Sequence, residues 1–226
     1  MGTDITAYAE RRQPDGSWVL VNGLRPNTSY FLGGAERYSE EENDPWPPLI
    51  PVEAFDMVRN YELFAILANV RNGIRTAGGV HFECISLPRG LPEDLSLELR
   101  KFTNLLEDGN HSHTWMLLEE ILTFSWKEKS VLREAMVDSR VAHLFGYEQN
   151  SSSKQKWQSP DQPRAGFPFR EWPEEIRISY ATYLRDGVTV QWLETYEEIA
   201  GDFFELLEPL SALGDPADTR LVFWFD

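Results

Sequence analysis

Hydrophobic and polar residues alternate near the start of the chain, follow a helical period through its middle, and merge into one apolar block at its end. Ile5, Ala7 and Ala9 alternate with Thr6, Tyr8 and Glu10, and the run Trp18-Val19-Leu20-Val21 follows the turn Gln13-Pro14-Asp15-Gly16. Two extended runs around Pro-Asp-Gly predict a β-hairpin over 4–21. Residues 22–58, with Gly33-Gly34, Glu40-Glu41-Glu42 and four prolines between 45 and 51, read as an irregular excursion, either a lid or a covering loop. From Asn60 a stripe of Leu63, Phe64, Ile66, Leu67 and Val70 predicts a helix that stops at Asn72-Gly73. A second helix carries Leu95, Leu99, Phe102 and Leu106, with Asp94 or Ser96 as its cap. Helices from about Thr114 to Phe124 and from Lys129 to Phe145 complete a helical middle, and the polar stretch 148–170 reads as a mobile insertion.

Toward the end, Val188, Val190 and Trp192 alternate as a strand. Thr195 and Glu198 have capping-box spacing, and Tyr196, Ile199, Phe203, Leu206 and Leu210 form one helical stripe. The last run, Leu221-Val222-Phe223-Trp224-Phe225, is apolar throughout, as in a strand buried on both faces. The expected fold is a single α+β domain over 1–226. Its mixed sheet joins the N-terminal hairpin to a C-terminal strand–helix–strand unit, and the helical middle packs against it. The crossover rule makes the last two strands parallel.

The 226 residues carry 42% hydrophobic and 13% aromatic side chains, enough for a packed core. The formal charge of −16 argues against direct binding of nucleic acid or an anionic membrane. It leaves room for an acidic inhibitor or DNA mimic whose charge gathers over Glu36–Asp44 and over Glu194, Glu197, Glu198, Asp202, Glu205 and Glu208. Cys84 is the single cysteine, so no intrachain disulfide or cysteine zinc site forms. With no basic apolar leader and no run of about 20 apolar residues, a cytoplasmic location in the host cell is expected.

The candidate chemistry centres on Asp108-Gly109-Asn110-His111-Ser112-His113-Thr114-Trp115, read as a polar turn opening a helix and holding two of the four histidines. Arg89 sits in the tight Arg89-Gly90-Leu91-Pro92-Glu93-Asp94 turn. Arg59-Asn60 precedes the first helix, and Arg71-Asn72 ends it. Guanidinium forks in so acidic a chain suit an anion or a phosphate. Asp4, Arg59, Asn60, Arg71, Arg89, His111 and His113 are therefore the candidate ligand-binding residues, although their meeting in one pocket is not readable from sequence. Ion pairing of the arginines with nearby carboxylates and local hydrogen bonding of the histidines are the structural alternatives. A divalent metal would fall to Asp4, His111 and His113, with Glu93 or Asp94 as general base of a hydrolase of phosphoester or related bonds. Trp18, Trp115, Trp126, Trp192 and Trp224 default to core, with stacking of one or two on a base as the alternative, and no P-loop, dinucleotide fingerprint or nucleophile elbow is present.

Several blocks together carry a resemblance. They are Met1-Gly2-Thr3-Asp4-Ile5, Arg59-Asn60-Tyr61-Glu62-Leu63-Phe64, Val70-Arg71-Asn72-Gly73, Arg89 to Asp94, His111 to Trp115, and Arg220-Leu221-Val222-Phe223-Trp224-Phe225-Asp226. These resemble a family of uncharacterised bacteriophage and prophage proteins whose members often open Met-Gly-Cys-Asp-Ile-His. Thr6 stands where those relatives often have histidine; if the Asp-x-His pair serves as a metal site, this chain lacks one ligand, whereas a binding pocket keeps a hydrogen-bonding threonine. The resemblance implies a phage accessory protein, and by analogy one that captures or destroys a nucleotide signal of host immunity. The leading expectation is binding of a small polar, nucleotide-like ligand with no required cofactor. The alternatives are the metal-dependent hydrolase and the acidic inhibitor; oligomeric state stays open.

Overall fold

The computed structural model describes residues 3–27, 48–57, 59–74, 76, 79–106, 110–145, 172–175 and 187–225. Contacts gather the chain into two compact units. The first holds Met1–Thr76, His81–Phe124 and Asp202–Asp226, and the second Ala77–Val80 and Ser125–Gly201. The fold is α+β, with the N-terminal hairpin and the C-terminal strand in one sheet.

In the first unit, β1 (Ile5–Arg12) and β2 (Trp18–Leu20) form the expected hairpin, with Gly16 at φ 86 in the turn. A short ribbon, β3 (Leu24–Pro26) and β4 (Leu49–Pro51), follows, while the excursion between them, including Glu36–Asp44, lies outside the described residues. Helix α1 (Tyr61–Ala68) begins where predicted, because the Asn60 side chain accepts from the Leu63 N–H at 3.0 Å. It ends earlier than Asn72: Asn69 adopts φ 58, a left-handed cap that asparagine tolerates. Helix α2 (Leu97–Thr103) starts after Ser96, but neither Ser96 nor Asp94 caps it with a side chain. Asp94 is engaged elsewhere, as shown below.

The largest departure is at the histidine segment. His111–Leu117 is a strand, β5, and only Leu118–Thr123 is helical (α3). Glu120 accepts from the Leu117 N–H at 2.9 Å and so places the helix start four residues after Thr114. The C-terminal strand β8 (Thr219–Phe225) is buried at every position and lies between β1 and β5, antiparallel to both, in the order β2-β1-β8-β5. That bears out a central strand. Helix α2 packs Leu99 and Phe102 against Tyr8, Val222 and Trp224 on one face of the sheet. Phe64 of α1 meets Phe225, 5.1 Å between ring centroids, on the other. Full burial of such side chains contributes about 1.5–3 kcal/mol each.

The second unit is built on an antiparallel ribbon of β6 (Ser130–Asp138) and β7 (Gly187–Thr195), paired along all nine residues. The helix expected over Lys129–Phe145 is thus a strand followed by a 3-10 turn at Ala142–Phe145. Because β7 pairs with β6, the expected parallel crossover from β7 to β8 does not form. A core of Ala135, Val137, Val141, Trp172 and Val190 holds the ribbon. Arg133 and Glu194 form a buried ion pair at 2.6 Å, which takes Glu194 out of any surface acidic patch. The Thr195/Glu198 capping box forms and starts the short α4 (Tyr196–Ala200). The predicted long helical stripe breaks at Gly201 (φ 57), and α5 (Phe203–Ser211) resumes it in the first unit. The stretch 148–170 lies outside the described residues. Among those described, no helix is long and apolar enough to cross a membrane.

Candidate functional site: an arginine–tryptophan ladder

The sheet face under α2 ends in a cavity of about 810 Å³ in the first unit, lined by Arg12, Trp18, Arg89, Glu93, Asp94, Trp115 and Arg220 among others. Strand pairing explains why these residues meet. Arg12 sits opposite Trp18, and Arg220 sits opposite both Glu10 and Leu117, so all leave the same face. Trp115, two residues before Leu117 on β5, shares that face. Arg89 is brought in by its loop, where the Arg89 N–H donates to Thr114 Oγ1 at 3.1 Å and the Gly90 N–H to the His113 carbonyl at 2.8 Å.

The result is a chain of cation–π contacts. Arg12 lies 5.8 Å from the Trp18 ring centroid, Arg220 lies 4.0 Å from Trp18 and 5.8 Å from Trp115, and Arg89 lies 5.1 Å from Trp115. The order of contacts is Arg12, Trp18, Arg220, Trp115, Arg89. Its central guanidinium is buried between two carboxylates: Arg220 donates to Glu10 at 2.9 Å, to the Asp94 carboxylate at 2.6 Å and to the Asp94 carbonyl at 3.2 Å. Asp94 also accepts from the Trp18 indole N–H at 2.9 Å. Burial pushes the Asp94 carboxyl up, but the hydrogen bond and charge of Arg220, with the Trp18 bond, outweigh it and hold the group below its usual range. At the far end Arg89 grips both oxygens of Glu120, at 2.9 and 2.6 Å, and that bond lowers the Glu120 carboxyl against the opposing effect of burial.

Of the candidate ligand-binding residues read from sequence, only Arg89 reaches this cavity; Glu93 and Asp94, the candidate general bases, line it as well. Asp4, Arg59, Asn60 and Arg71 gather instead at the start of β1. Arg59 binds Asp4 through both oxygens, and that hydrogen bond lowers the Asp4 carboxyl. Asn60 is spent as the cap of α1, and Arg71, at φ 60, donates twice to the hydroxyl of buried Thr3, at 3.1 and 2.7 Å. The two histidines do not converge. Ser112 takes φ 54 inside a register shift between His111 and Thr114. In consequence His111 stacks on Phe225 at 6.2 Å while His113 meets Trp224 at 5.5 Å. Phe225 and Trp224 are consecutive on β8 and point to opposite faces. With Asp4 held by Arg59, the Asp4/His111/His113 metal set is not assembled. Among the described residues, no three His, Cys, Asp or Glu side chains are grouped to hold an ion. Asp94, tied to Arg220 and Trp18 and lowered, is also poorly suited to act as the general base.

His113 supplies a pH test of this placement. Burial, and then the neighbouring His111, lower its pKa from the ordinary value of 6.5. Below that value the unfolded chain binds the proton more readily than the folded one, so stability falls as pH drops beneath 6.5. The Tm of the wild type is expected to fall more than that of His113→Gln between pH 7 and pH 5; equal losses would show that His113 is not the group responsible.

Sequence reasoning gave no role to Arg12 or Arg220 and assigned Trp18 and Trp115 to the core by default, although these four build the ladder. The available signal was charge at alternate strand positions, Glu10 and Arg12 on β1 and Arg220 leading the apolar terminal run, with tryptophans on the strands beside them. Compared with protein-family models, with curated proteins and with solved structures, the chain has no match.

Proposed function

We propose that the protein binds a small, negatively charged, planar ligand of the nucleotide class in the ladder cavity, in keeping with a phage accessory protein that sequesters a host signal. The observation that carries this reading is the cavity itself. It has the volume of a small-molecule site and is lined by three guanidiniums and two indoles, beside Glu93 and Asp94, in a chain of net charge −16. Indole and guanidinium planes are the side-chain surfaces on which a base stacks, and guanidinium edges are the donors that match phosphate oxygens. Trp115, half-buried and lining the cavity, is the indole assigned to the base.

Thermal denaturation with a panel of mononucleotides, dinucleotides and cyclic nucleotides tests it. A ligand present at a hundred times its Kd adds about 2.7 kcal/mol to stability, enough for a clear rise in Tm. Trp115→Ala is expected to weaken that ligand about tenfold, the order of one lost base–aromatic stack. No shift with any member of the panel, in protein whose own unfolding is cooperative, overturns the proposal.

A further inference from the structure

The three ladder arginines are held very differently, and the difference singles out one of them. Arg220 is buried and held by two carboxylates, Glu10 and Asp94, with a further bond to the Asp94 carbonyl. Arg89 is clamped by both oxygens of Glu120, with further bonds to Ser86 and the Trp115 carbonyl. Among the described residues Arg12 is paired with Asp218 alone, and through one oxygen only: Nε and Nη2 both donate to Asp218 Oδ1, at 2.8 and 2.5 Å. The second Asp218 oxygen and the Arg12 Nη1 group take no part in the pair. Both side chains are open to solvent, at 47% and 42% exposure. An exposed ion pair of that kind adds little to stability and exchanges readily with other anions. Arg12 nevertheless borders the cavity, together with Ala217, the residue before Asp218.

We infer that Arg12 is the residue that receives the ligand's phosphate and that Asp218 occupies its guanidinium as an internal competitor until the ligand displaces it. This rests on the ladder cavity being the binding site and deepens that reading: it assigns the charge-recognising residue and requires a terminal phosphate on the ligand. A phosphate group can meet the Nε and Nη2 donors with two separate oxygens, a better match to that edge than the one-oxygen grip of Asp218. The carboxylate then turns to solvent. Arg89 and Arg220, whose carboxylates hold them more completely, position the two indoles.

Calorimetric titration of the full chain tests this with inorganic pyrophosphate, nucleoside monophosphates and the matching nucleosides, on wild type, Asp218→Asn, Arg12→Gln and the double variant. Asp218→Asn is expected to tighten pyrophosphate and the monophosphates about fivefold, the worth of one exposed ion pair, and to leave nucleosides unchanged. Arg12→Gln is expected to erase the preference for phosphates over nucleosides, and in the double variant Asp218→Asn then has no further effect. Because the pair is exposed, circular dichroism and Tm of both single variants should match the wild type. Monophosphates that bind the wild type and are insensitive to both substitutions would overturn the role of Arg12 and leave the cavity reading standing. Pyrophosphate binding seen only with Asp218→Asn would support the competitor even where no nucleotide binds the wild type. No binding of any probe to any variant would overturn both.

Discussion

Arg220→Met is expected to cost the protein about 3–5 kcal/mol, the usual loss when one member of a buried ion pair is removed. The reason lies in what it leaves behind. Glu10 is wholly buried, and its two oxygens are served by Arg220 Nε at 2.9 Å and the Ser96 N–H at 2.8 Å. Without the guanidinium, a carboxylate remains inside the sheet with one hydrogen bond and no counter-charge. Asp94 suffers less, because its side chain is 63% exposed and water can replace the lost donor. Trp18 loses its nearest cation, at 4.0 Å, so the ladder loses its centre along with the pair. Chemical denaturation should show the loss, and adding Glu10→Gln to Arg220→Met should recover part of it by removing the stranded charge. If the single variant is as stable as the wild type, the buried pair is not holding the β1–β8 junction.

A loss of similar size, about 3–5 kcal/mol, is expected for Trp224→Ala. Trp224 is 1% exposed and stands in the centre of the sheet face that α2 covers, 5.2 Å from the Tyr8 ring and 5.5 Å from His113. Rings fixed on neighbouring strands close poorly over a missing indole, so the cavity term adds to the lost burial. Trp224→Phe keeps an aromatic partner for Tyr8 and should cost well under half as much. Equilibrium urea unfolding measures both; equal effects of the two substitutions would show that ring packing at this position is not what counts.

The elements that could be read from sequence are those in which local chemistry and burial agree. The first hairpin has its Pro-Asp-Gly turn and its alternation. The last strand has apolar or pairable residues at every position, as a strand covered on both faces requires. The starts of α1 and α4 carry Asn60 and the Thr195/Glu198 box, whose bonds span three residues and need no tertiary partner. The misread elements are those in which burial and hydrophobicity part company. In β6, Arg133 points inward with Val131 and Ala135 while Leu132 is 58% exposed, so the two-residue period is real in space but exchanged in hydropathy at Leu132 and Arg133. Arg133 can be inside only because Glu194, on the opposing strand, is there to meet it. In β5, the apolar residues that look like one turn of helix serve a strand up to Leu117 and a helix beyond it, a choice made by pairing with β8.

The same division holds for the site. Sequence by itself determined the α+β class, the hairpin, the central terminal strand and the presence of guanidinium forks in an acidic chain, because propensity, turn chemistry and apolar period act over a few residues. It also marked Arg89. Tertiary structure alone decided which forks share a cavity. Arg12, Trp18, Trp115 and Arg220 come from four strands and meet through cross-strand register, a relation between residues as far as 210 positions apart, as between Glu10 and Arg220. It also separated His111 from His113, since one residue in the left-handed region at Ser112 turns a shared face into two. Local pattern carries the period of a strand but not its partner, and in this protein the partner determines where the charges meet.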